Sequence, residues 1–143
     1  MAWGPAVVSG WVGTAAMSLL MALGPWMGMP RMDMAGALGT MLAGPGTAAA
    51  VLGWMLHFGM GAIFAVVYAL LWSTGVGAPT LGWGIVFGLV HGVVAVLAMP
   101  VMQSMHPRRT QLATGGTAAM GVLVGHGLYG LVVAAVYAAW LGR

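Results

Sequence analysis

Acidic residues are all but missing from this chain: one Asp and no Glu stand among 143 residues, against four Arg. Charged residues make up 3% of the sequence, where a soluble domain carries about a quarter. So small a supply of charge makes water the wrong solvent for the fold. It also leaves no carboxylate inside the apolar stretches for ordinary proton coupling. Cysteine is absent, which removes disulfides, thiolate metal ligands and thiol nucleophiles from consideration. Basic residues are too few and scattered for a nucleic-acid surface. The pI near 10.3 reflects a handful of Arg with almost no acid to balance them. The N-terminus lacks the basic n-region of a secretory signal, so the first apolar stretch is expected to be retained.

What the chain does have is apolar length. Hydrophobic residues reach 62% and the mean hydropathy is +1.02. A membrane-spanning helix needs about 20 apolar residues, and the uncharged runs predict four, over about 6–23, 48–72, 81–99 and 117–140. Gly24-Pro25 and Pro100 are expected to end the first and third spans, and Thr117 to cap the fourth. Asp33 is expected to cap a short interfacial helix at 33–43, with Met34, Leu38, Met41 and Leu42 on one side. The expected class is all-α: a four-transmembrane-helix bundle forming one membrane domain.

The chain also repeats itself. HFGMGAIFAVVY at His57–Tyr68 and HGLYGLVVAAVY at His126–Tyr137 share a His, a Gly four residues on, an Ala eight on and a Tyr eleven on. Those offsets keep the three landmark residues His, Gly and Tyr close to one helical face. Pro30 lies 27 residues before His57 and Pro107 lies 19 before His126, and the difference of eight matches the 33–43 helix. Two tandem helical hairpins are therefore expected, 1–72 and 81–143. Each contains an even number of spans, so the repeat should be parallel, with its axis along the membrane normal.

Arg31, Arg108 and Arg109 fall in the two loops inside the repeats, and the 73–80 turn carries none. The positive-inside rule then places those loops in the cytoplasm, with both termini outside. Trp3, Trp11, Tyr68, Trp72, Trp83, Tyr137 and Trp140 are expected to form an interfacial belt on the far side. Rows of Gly and Ala, such as Gly53-His57-Gly61-Ala65 and Gly84-Gly88-Gly92, are expected to bring helices together or to serve association with other subunits or a second copy.

Two features could carry chemistry. His57, His91 and His126 are each about ten residues from a helix end, near the membrane midplane. As repeat mates, His57 and His126 are expected to face one another. Such a pair could ligate haem b, with Gly59, Gly61, Gly125 and Gly127 leaving room for the macrocycle, or join His91 around copper or zinc. The plainer reading makes each a neutral residue hydrogen-bonding between helices, with no cofactor. Apart from Met1, all methionines lie in 17–60 and 99–120. Met27, Met29, Met102 and Met105, with His106, are candidate ligands for Cu(I), for which thioethers are suited. The plainer reading is flexible filler or a docking surface.

The set PRMDM (30–34), HFGMGAIFAVVY (57–68), GLVHGVV (88–94), MHP (105–107) and GHGLYGLVVAAVY (125–137) resembles an uncharacterised family of small four-span bacterial membrane proteins. That resemblance implies the architecture and the His positions, and brings no activity. The preferred expectation is a non-enzymatic accessory or assembly subunit of a larger membrane complex, in contact with lipid and other subunits. A haem or copper protein using the midplane histidines, and a small soft-metal transporter, are the alternatives.

Overall fold

The computed structural model describes residues 1–108 and 112–142. Arg109, which entered the orientation argument, lies outside the described residues. Helix α1 (Trp3–Leu23) runs into a 3-10 turn over Gly24–Met27. It is followed by α2 (Met34–Leu42), α3 (Thr47–Ser73), α4 (Leu81–Met105) and α5 (Gly116–Trp140). The four long helices are each apolar and long enough to cross a membrane, and they form a bundle. The fold is all-helical and the chain is a multi-pass membrane protein.

Local chemistry explains most of the boundaries. The Asp33 carboxylate accepts from the Gly36 N–H at 2.8 Å and caps α2 as its spacing predicts. Thr80 caps α4 by accepting from the Trp83 N–H at 3.4 Å. Two expectations need correcting. Pro100 does not end its helix, which continues to Met105. A proline removes one rung and crowds the turn before it, but apolar surroundings offer the other backbone groups no water to turn to, so the remaining rungs hold. Thr117 is not the cap of α5; Gly115, at φ +94, precedes the helix with no side-chain cap.

Three seams of the bundle are closed by glycine. Between α1 and α3, a Cβ on Gly10 would lie 2.6 Å from the Gly61 carbonyl oxygen, and one on Gly61 would land on the Thr14 hydroxyl. Between α4 and α5, a Cβ on Gly84 or Gly130 would land on the other's carbonyl oxygen, and one on Gly88 on that of His126. Between α1 and α5, Gly13 admits the Tyr129 ring and Val133. Helix α2 lies against the first half of α3 in the same manner, Gly39 on Ala49 and Gly53 on Ala35. Apolar burial gives little drive for association in lipid, so backbone approach of this kind is what holds helices together.

The fourth seam, α3 against α4, is different. Here a ladder of rings keeps the backbones apart. Trp72 stacks on Phe87 at 5.7 Å, Tyr68 meets Phe87 at 5.2 Å and Phe64 lies on His91 at 3.8 Å. Tyr68 and Trp72 of this ladder are buried, and Tyr129 and Tyr137 are buried in the same core.

Candidate functional site

The polar groups of the spans gather around the middle of the bundle. His57 on α3 is buried and turns to α1, its Nε2 lying 3.1 Å from the Ser18 hydroxyl. His126 on α5 backs onto Gly92 of α4. Its Nδ1 lies 2.8 Å from the Val122 carbonyl one turn earlier. A carbonyl only accepts, so Nδ1 carries a proton and the neutral ring keeps its lone pair on Nε2.

The histidine that meets His126 is His91. Their rings meet edge to face with centroids 4.6 Å apart and planes at 79°. His91 Nδ1 is 3.3 Å from the Tyr68 hydroxyl, and the Tyr129 ring stands 5.8 Å from that of His91. Tyr129 in turn donates its hydroxyl hydrogen to the Gly61 carbonyl, tying α5 to α3. The expected pairing of His57 with His126 is thus replaced by a His91–His126 ring contact, with His57 engaged at α1.

The arrangement bears on each ligand that the histidines could hold. Two imidazoles on opposite faces of one iron would have centroids roughly 6 Å apart, given metal–nitrogen bonds of about 2 Å. The direct His91–His126 contact is closer and leaves no space for a macrocycle between them. The glycines expected to make that space are used otherwise. Gly61 receives Thr14, Gly125 faces Met17 and Met21, Gly127 faces Leu89, and Gly59 points away from the chain. Among the described residues, no three His, Asp or Glu side chains gather as a metal-binding group.

The methionine end divides in two. Met27 and Met105 are exposed. Met29 packs beside Gly24 and Gly121, and Met102 packs on a second core cluster of Ala37, Met99, Leu112 and Val122. These four do not share one cavity. His106, 4% exposed, acts as a clasp. The Arg108 N–H donates to its Nδ1 at 3.1 Å, so the Nε2–H donates to the Ala37 carbonyl at 3.0 Å, with the Thr40 hydroxyl 3.2 Å away. The Arg108 guanidinium donates to the Thr40 carbonyl, a cation on the last turn of α2 where the helix dipole favours it. His106 and Arg108 therefore pin the segment after α4 onto α2.

Sequence reasoning passed over Tyr129 and Met21, and took Met32 only as one member of the methionine-rich run at 27–34. Tyr129 stands three residues after His126, on the same helical face, and that spacing was the available signal. Nothing in the sequence signals that Met21 and Met32 meet, because a chain reversal brings them together.

The chain belongs to the Family of unknown function (DUF6789), whose model matches residues 2–143. No curated protein matches the chain, and no solved structure matches it.

Proposed function

We propose that the protein is a non-enzymatic accessory or assembly subunit of a larger membrane complex. It would sit in a bacterial cytoplasmic membrane with its Arg-bearing loops on the cytoplasmic side. The observation that carries this reading is Gly59. A glycine inside a helix costs about 1 kcal/mol relative to alanine, and at Gly10, Gly53, Gly61, Gly84, Gly88 and Gly130 that cost is offset by close helix crossing. Gly59 stands mid-way along α3, yet a Cβ there would meet nothing within 4 Å. It lies on an outward stripe with Met55 and Ile63, both well exposed. A small residue on such a stripe suits a partner helix from another chain.

The histidines and tyrosines of the spans support the same reading, because they bond within the chain and tie its helices to one another. The reading also takes the two hairpins as a parallel duplication. Gly61 and Gly130, each four residues after its histidine, are the points where their own hairpins close, against Gly10 and Gly84.

The test is Gly59→Leu in the full chain, followed by the native mass of the assembly in mild detergent and by thermal unfolding. We expect an unchanged unfolding temperature and loss of the larger assembly. An assembly that survives the substitution would assign this stripe to lipid. One composed of this chain alone would replace the accessory role with self-association.

A further inference from the structure

Below the histidines, at the end of the bundle that carries the methionines, lies a cavity of about 10 Å³. That is roughly one atom-sized sphere of free space. Three thioether side chains line it from separate places in the chain: Met21 in the last turn of α1, Met29 after the 3-10 turn and Met32 just before the α2 cap. Ala118 and Gly121 of α5 form the opposite wall.

The backbone is built to bring these residues together. Gly28 takes φ +80, and the N–H groups of Gly28 and Met29 donate back to the carbonyls of Pro25 and Gly24 at 3.3 and 3.0 Å. This reversal folds Met29 over the place where a Gly24 side chain would be, its Cε 3.1 Å from that Cβ position. On the far wall the missing side chain of Gly121 leaves space, with the Met29 Sδ 3.5 Å from where its Cβ would stand. Glycine at 24 and at 121 thus keeps the cavity open.

The lining decides what can occupy it. It contains no carboxylate, imidazole or hydroxyl, so hard cations that demand oxygen ligands find none. A water molecule would meet only weak thioether acceptors, and apolar cavities stay dry. Neutral, polarizable sulfur in a small, mostly apolar space suits a soft monovalent cation. We infer that Met21, Met29 and Met32 form a three-thioether site for Cu(I). This set keeps only Met29 from the candidates read from the sequence. It leaves the exposed Met27 and Met105 outside.

The test uses full-length protein purified in mild detergent under reducing conditions, titrated with Cu(I) against a competing chelator. We expect one Cu(I) per chain. Met21→Leu, Met29→Leu and Met32→Leu should each weaken binding about tenfold or more, because Leu conserves volume but offers no lone pair. Met27→Leu with Met105→Leu should leave binding intact. X-ray absorption of the copper-loaded wild type, which needs no variant to fold, should show sulfur ligands alone. Absence of stoichiometric binding would overturn the inference. So would unchanged affinity in the folded triple-Leu variant, or nitrogen and oxygen ligands in the absorption spectrum.

Discussion

Gly84 and Gly130 cross so closely that a Cβ on either would land on the carbonyl oxygen of the other. Backbone, not a flexible side chain, blocks the space, so relief requires the helices to move apart. Gly130→Leu should therefore lower stability by about 3 kcal/mol or more, at the upper end of what overpacking costs. Gly61→Leu, which would drive into Thr14, should do the same at the α1–α3 seam. Thermal unfolding in detergent checks both, and wild-type-like stability would show that these stripes face lipid instead.

Tyr129→Phe isolates one interhelical bond. The substitution keeps the buried ring, 1% exposed, and removes only the hydroxyl that bonds the Gly61 carbonyl. Bonds of this kind between membrane helices are worth about 1 kcal/mol, and the loss should be of that order. A stability unchanged within error would mean that the α3–α5 tie is geometric only.

The clasp at His106 makes a local prediction. His106→Ala removes the acceptor of the Arg108 N–H and a donor to the Ala37 carbonyl, and each such bond is worth about 1 kcal/mol. Helix α2 should then exchange its amide hydrogens faster over 34–42, while the glycine-closed core of α4 and α5 should keep its protection. Hydrogen exchange read by mass spectrometry distinguishes this from a global loss of stability, in which both regions would accelerate together.

Much of the fold was legible because it rests on local chemistry. Four long apolar runs state their spans, and Asp33 ahead of Met34, Leu38, Met41 and Leu42 states where α2 begins. The path of α4 through Pro100 was not legible, because whether a proline ends a helix depends on what the surrounding medium offers the freed backbone groups. The pairing of the histidines was hidden for a related reason. A stripe of His and Gly says which residues share a face, but not which neighbour that face meets. Gly88 and Gly92 bring α5 onto α4, and so His126 is carried to His91 rather than to His57. The thioether cavity was less legible still. Met21, Met29 and Met32 meet only because Gly28 turns the chain back on itself, and no helical period records that.

The claim on which everything else depends is that the four helices span a bilayer, with both Arg-bearing loops on one side. Single cysteines answer it directly, since the chain has none of its own. Ser104 at the end of α4 and Thr74 after α3 are both exposed, and Ser104→Cys and Thr74→Cys should fold normally. With a membrane-impermeant thiol reagent applied to intact cells, Thr74→Cys should label, and Ser104→Cys should label only after the membrane is opened. Labelling of both positions from the same side would contradict the four-span account.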